Sequence, residues 1–196
     1  LYAQKEDKDQ IYVIEKHGIR IALLAYTYDT NEWIEPEHDY VVKTFLNEQR
    51  VLDDEKREML REDVEKAKEQ ADVVIAAMHW GNEFTYTLNQ AQLETADYLN
   101  ELGVDLIIGN HPHNIQTMEE LINETNAHRT IVFYSLGNFV SAAAMVDRAS
   151  IEFANMYEVG AILNLDIVKD RDSGEITIQH MVITPIINHF EHGYTN

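Results

Sequence analysis

The chain has 196 residues, 45% of them hydrophobic, and 35 acidic against 15 basic side chains give a formal charge of -20. That length suits one ordinary domain with a real core, or half of a larger one, and the composition is globular rather than disordered. Non-specific binding to nucleic acid or to an anionic membrane needs basic surface, which so acidic a chain lacks, and the absence of cysteine excludes disulfides and thiolate metal sites.

No apolar run of about 18 residues occurs, so no helix of this chain is expected to insert in a membrane. The start at Leu1-Tyr2-Ala3 is neither an initiator methionine nor signal-like. Any export signal or anchor is therefore expected upstream.

The charged first ten residues read as a loop or frayed end. Ile11 to Glu15 and Ile19 to Tyr26 read as two strands joined through Lys16-His17-Gly18, where glycine permits the positive φ of a tight hairpin. The second run is mostly apolar and so is expected in the middle of a sheet. Thr27 to Glu32 leaves that strand as a polar loop, a good position for ligand contacts, and Pro36 breaks any regular continuation. His17 and His38 fall in polar turns and are expected to be exposed.

Asp53 to Gln70 reads as a helix capped by Asp53, with Leu60, Val64, Ala67 and Ala71 as its buried stripe, Glu62 and Lys66 as a supporting pair, and a solvated charged face. Asp72 to Met78 is a continuous apolar run, expected to be a buried parallel strand, and it ends at His79-Trp80-Gly81-Asn82-Glu83. Asn89 and Gln92 make a capping-box pattern for a second helix, with Leu93, Ala96, Leu99 and Leu102 as its stripe and Gly103 as its stop. Asp105 to Ile108 is the next strand.

Strand, helix and strand predict a right-handed parallel crossover, which puts the ends of both strands on one edge of the sheet. That edge is where open α/β sheets bind ligands. It gathers His79 from one strand with His111 and His113 from the other. Pro112 disfavours helical backbone around it, so His111 and His113 are expected in extended chain, on the same side and roughly 6 to 7 Å apart. A His-x-His pair alone is more often a loop that merely hydrogen-bonds; a third histidine brought in by topology is the argument for a metal site.

Farther on, Asn114 to Ile122 reads as a strand or extended segment, and Asn123 to Arg129 as a polar loop in which His128 has no assigned role. Thr130 to Tyr134 is a buried strand ending in Ser135-Leu136-Gly137-Asn138-Phe139. Residues 141–158 have no clean period and read as a mobile loop over the site or as an irregular connection. Val159 to Val168 and Glu175 to Thr184 flank a hairpin turn, with Pro185 closing the element and His180 a structural strand residue. No repeat or linker appears, so residues 1–196 read as a single domain or part of one.

Three motifs in order, His79-Trp80-Gly81-Asn82-Glu83-Phe84, Gly109-Asn110-His111-Pro112-His113 and Phe133-Tyr134-Ser135-Leu136-Gly137-Asn138-Phe139, resemble the bacterial poly-γ-glutamate capsule synthesis family, CapA. The resemblance runs from about Ile11 to the C-terminus. It implies a relative of the calcineurin-like metallophosphoesterases: an α/β sandwich of two β-sheets flanked by helices, of which this chain is the C-terminal half, with a C-terminal β-hairpin.

It also implies a centre of two divalent ions, manganese, zinc or iron, with His79 on one metal and His111 and His113 one on each. Glu83 matches a position that orients an imidazole, Asn138 matches the Leu-Gly-Asn turn, and Trp80 a wall of the pocket; structural roles fixing these loops are equally open. The family's N-terminal half supplies a bridging carboxylate, further ligands and a catalytic histidine, none of which this sequence contains. No catalytic residue is therefore assigned within this chain.

The resemblance implies a metal-dependent hydrolase of capsule or envelope polymer assembly on the extracellular face of the cell. Its partners would be an envelope polymer or phosphoester substrate and a membrane synthase complex. The alternative is a non-catalytic accessory that binds the polymer or organises the synthase. A third reading leaves the histidines as hydrogen-bonding loop residues without metal.

Overall fold

The computed structural model describes residues 2–141 and 151–188. Strands β1 (Tyr12–Lys16) and β2 (Ile19–Thr27) form the expected hairpin, and His17 and Gly18 between them both take positive φ, 54° and 78°. Two left-handed residues in a row match the right-handed twist of the strands they join.

β2 lies inside a six-stranded sheet of order β1-β2-β3-β4-β6-β5, with β3 (Val73–His79), β4 (Leu106–Asn110), β5 (Met118–Ile122) and β6 (Arg129–Phe133). β2, β3, β4 and β6 are parallel, while β1 and β5 close the edges antiparallel. Of the extended segment expected from Asn114, only its last five residues form a strand. β3 is also less covered than its apolar run implied, with Ala77 and His79 exposed.

Helix α1 (Asp54–Gln70) starts at Asp53, whose carboxylate accepts the Lys56 N–H at 3.0 Å. Leu60, Val64 and Ala67 are buried as expected, but so is Asp63, so the charged residues of this helix are not all solvated. Lys43 Nζ lies 2.7 Å from both Asp63 carboxylate oxygens and the Tyr26 hydroxyl donates to Asp63 at 2.9 Å. A buried carboxylate survives there because three hydrogen bonds and an opposite charge replace water.

Helix α2 (Gln90–Leu102) has both halves of the capping box, and Gly103 ends it at φ 89°. Its buried face differs from the apolar stripe: Gln92, Thr95, Ala96, Leu99 and Asn100 are inside, and Leu93 is 37% exposed. Two amides turn the helix. Gln92 Nε2 donates to Gln116 Oε1 at 2.9 Å, and Asn100 Nδ2 donates to Thr130 Oγ1 at 2.8 Å.

Alternation along the parallel strands divides the core in two. Ala22, Leu24, Tyr26, Val74, Ala76, Met78, Ile107 and Val132 pack with α1 and α2, whereas Leu106, Ile131 and Phe133 pack with Leu163, Leu165 and Ile178 of the C-terminal hairpin. That hairpin, β7 (Val159–Lys169) with β8 (Ile176–Ile187), is a separate two-stranded sheet preceded by α3 (Ile151–Glu158).

Pro185 does not close it. It pairs opposite Ala161 inside β8, because each strand of a two-stranded ribbon has a free edge where a missing N–H does no harm. The connection expected over residues 141–158 is helical in its last eight residues, and 142–150 lie outside the described residues. The architecture is the expected mixed α/β one: a central sheet flanked by helices, a second small sheet, and a C-terminal antiparallel hairpin.

Candidate histidine site

Parallel pairing of β3 with β4 sets His79 opposite Asn110 at the carboxyl edge of the sheet. The chain then turns instead of extending. His111 has φ 104° and His113 φ 62°, against the extended conformation that Pro112 predicts. Three tethers hold this turn: the His111 N–H donates to Asn110 Oδ1 at 2.9 Å, the Phe84 N–H to the Pro112 carbonyl at 2.9 Å, and Asn138 Nδ2 to the His113 carbonyl at 3.2 Å. The three imidazoles do converge, with ring centres 4.4 Å apart for His79 and His111 and 6.2 Å for His111 and His113.

Gly109 and Trp80 lock the floor beneath them. The Trp80 indole N–H donates to the Tyr134 carbonyl at 2.8 Å, and a Cβ on Gly109 would lie 2.0 Å from that same oxygen. Trp80 is 1% exposed and packs in the core as a strut between β3 and β6, the structural role that the sequence left open beside a pocket wall.

Asn138 fixes the state of His113. Its Nδ2 donates to the Tyr157 and His113 carbonyls, so its Oδ1 is the acceptor, and His113 Nδ1, 2.8 Å away, must carry the proton. In the neutral ring the lone pair is then on Nε2. Glu83 Oε1 lies 3.7 Å from Nε2, beyond hydrogen-bond distance. Burial first, and then the neighbouring His113, hold His79 below the ordinary histidine range. Burial and then His79 bring His111 down to about 4, although Glu83 pulls the other way. Both shifts favour the neutral ring, the form that coordinates metals.

Aromatic rings enclose the cluster, and the sequence reading singled out none of them. Tyr28 stacks parallel to His79 at 6.0 Å and lies 4.9 Å from His111, while Phe84 stacks on His113 at 5.4 Å and Tyr157 lies 5.5 Å from it. Tyr28 is in the polar loop leaving β2, whose position was the available signal. Among the described residues, seven non-glycine residues have positive φ, and Arg50, Phe84, His111 and His113 of this neighbourhood are four of them. Such conformations cost about 1 to 3 kcal/mol each and gather at functional sites.

Whether these residues suit a metal divides into chemistry and geometry. Three neutral imidazoles and a nearby carboxylate are suitable donors for a divalent ion. Among the described residues, however, no group of three or more histidine, cysteine, aspartate or glutamate side chains is already assembled as a metal-binding set. Among the described residues, no ion pair or metal-binding set places a carboxylate between the histidines to bridge two ions. His17, His38 and His180 lie apart from the cluster: the first two are exposed, and His180 Nδ1 sits 3.0 Å from Asp166. His128 Nε2 bonds the Val104 carbonyl at 2.9 Å. A cleft of about 680 Å³ runs along Asp29, Trp33 and Lys56 and contains none of the three histidines.

The sheet thus gathers the imidazoles of His79, His111 and His113 at its carboxyl edge, on two of the three motifs that carry the resemblance. The model of the family described as bacterial capsule synthesis protein PGA_cap matches residues 1–143, and the chain belongs to that family. It is 38% identical over 77 residues to the PGA biosynthesis protein CapA of Bacillus subtilis (strain 168), covering 39% of this chain and 19% of that protein. It is 34% identical over 87 residues to the capsule biosynthesis protein CapA of Bacillus anthracis, covering 42% and 20%. The matched stretches thus span about a fifth of these curated relatives. Among solved structures, a hypothetical protein from Thermus thermophilus overlays with a TM-score of 0.43 at 12% identity, covering 90% of this chain and 60% of that one, a likeness too loose to bear on function.

Proposed function

We propose that this chain serves in the synthesis of a capsule polymer, poly-γ-glutamate, at the outer face of the bacterial envelope. In this reading His79, His111 and His113 are part of the divalent-metal site of a hydrolase, completed by carboxylate ligands that the described residues do not supply. The substrate would be the envelope polymer or a phosphoester, and a membrane synthase complex the partner. The observation that supports it most is the convergence of three imidazoles, with His113 Nδ1 held by Asn138, in a chain of the capsule synthesis family.

A bound divalent ion would lower the pKa of a coordinated water and neutralise oxyanions. The chain's own residues do the rest. Partial burial lowers the pKa of His79 and His111, Asn138 Oδ1 accepts from His113 Nδ1, and Tyr28 and Phe84 stack on the rings of His79 and His113.

The second reading, a non-catalytic accessory that binds the polymer, is favoured by the lack of an assembled metal-binding set among the described residues. The full-length protein with His111→Ala separates the two. Loss of hydrolytic turnover together with loss of bound metal supports the hydrolase. No turnover in the wild type, with polymer binding that the substitution abolishes, supports the accessory.

A further inference from the structure

We infer that Arg50 and Tyr28 form an oxyanion seat on the rim of the histidine pocket, which takes a carboxylate or phosphate group of an anionic substrate and holds it beside His79 and His111. This deepens the proposed function and rests on the histidine pocket being where substrate binds.

The Arg50 guanidinium carbon lies 5.1 Å from the centre of the Tyr28 ring, and that ring is the one stacked on His79 and leaning on His111. The Tyr28 ring is thus in contact with Arg50, His79 and His111 alike. Arg50 spends one donor on Asp29, at 3.4 Å, in a pair whose side chains are 63% and 54% exposed. Exposed pairs of that kind hold only weakly, so an incoming anion displaces Asp29 readily. The guanidinium fork has five N–H donors and matches a carboxylate or phosphate with two at once.

The backbone is built to present it. Arg50 stands at φ 60°, a conformation that glycine or asparagine adopts more cheaply. Asn47 imposes it: its side-chain oxygen accepts the N–H groups of Gln49 and Val51, both at 3.0 Å, and its carbonyl accepts that of Arg50 at 2.9 Å. Asn47 Nδ2 then donates at 2.8 Å to Asp53, the N-cap of α1, which anchors the turn to the core. A strained, anchored turn that sets a long cation over the ring stacked on His79 is more than surface packing requires. In a chain with a formal charge of -20, an anionic ligand needs such a local cation to approach at all.

The test is calorimetric titration of the chain, first stripped with chelator and then equilibrated with manganese or zinc, using inorganic phosphate in one arm and glutarate in the other. Arg50→Gln should weaken binding of the preferred anion by about tenfold or more, the loss of one charge-assisted bidentate contact. Arg50→Lys should fall between. Arg50→Gly relieves the left-handed strain, so it should fold at least as well as wild type and still lose the anion.

Whichever probe binds more tightly identifies the source as phosphate or carboxylate. Arg50-dependent binding by the stripped chain upholds the seat even if no metal is ever taken up, in which case the metal reading falls alone. Binding of neither anion, or binding unchanged by Arg50→Gln and Arg50→Gly, overturns the seat, while metal uptake in those variants leaves the metal reading standing.

Discussion

Asn138 holds His113 at both ends, accepting the ring Nδ1–H at 2.8 Å and donating to the residue's own carbonyl at 3.2 Å. The amide sets the ring's tautomer and, in the same contact, pins the left-handed turn that carries it.

Asn138→Leu should therefore weaken divalent-metal binding by about 10- to 100-fold, as loss of a ligand-orienting partner does. It should also cost about 1 to 3 kcal/mol of stability, because the Tyr157 carbonyl, now bonded at 2.8 Å, is left buried without a donor. Asn138→Asp keeps the acceptor and should retain more affinity than stability. Metal titration beside thermal unfolding of the two variants reads both effects, and equal affinities would contradict the assignment.

Gly109→Ala should unfold or severely weaken the chain. The added carbon would stand 2.0 Å from the Tyr134 carbonyl oxygen and 2.4 Å from the Trp80 indole nitrogen, both in the packed floor of the site. A clash with backbone cannot be relieved by a rotamer change, so a loss above about 3 kcal/mol is expected in chemical denaturation. A change below about 1 kcal/mol would mean that the floor gives way far more easily than its packing implies.

Lys43→Met should be far worse than removal of the whole Lys43, Asp63 and Tyr26 cluster. Lys43 and Asp63 are only 6% and 3% exposed, and the single change strands a buried carboxylate at a cost of about 3 to 5 kcal/mol. The triple variant Tyr26→Phe, Lys43→Met, Asp63→Leu leaves no buried polar atom of this network and should recover most of that loss in urea denaturation. A triple variant no more stable than the single one would refute this account of the cluster.

These pairings show what was legible and what was not. The capping of α2 by Asn89 and Gln92 could be read directly, since cap chemistry is local. The burial of Gln92 could not, because its partner Gln116 is brought to it by the fold. Asp63 looked solvated amid the charges of α1, although its place between Leu60 and Ala67 put it on the buried face. Topology brought His79, His111 and His113 together as expected. The turn at Pro112 was misread because hydrogen bonds from Phe84 and Asn138, distant in sequence, outweigh the local preference for extended chain. Tyr28 and Arg50 carried no motif at all.

Asp72 should account for a distinct share of acid sensitivity. Its carboxylate accepts the Arg20 N–H at 2.8 Å and lies 3.4 Å from the Arg20 guanidinium and 3.1 Å from Lys169, and the Arg20 N–H first, then the side-chain partners, bring its pKa down to about 2. A carboxyl held below its ordinary value stabilises the fold fully above that value, and the contribution disappears as pH falls from there toward 2. Asp72→Asn should thus melt a few degrees below wild type at pH 6, and the gap should close near pH 2. A gap independent of pH would show that the carboxylate's charge is not what holds β3 to the hairpin.

The account turns on whether the three imidazoles bind metal at all. The direct measurement is metal content by mass spectrometry on the untagged chain, dialysed against manganese and zinc, beside the His111→Ala, His113→Ala double variant. About one ion per wild-type chain, absent from the variant, is the predicted result, since three neutral imidazoles suffice for one ion. No metal in the wild type, or the same amount in both, would contradict it and leave the histidines as loop hydrogen-bonders.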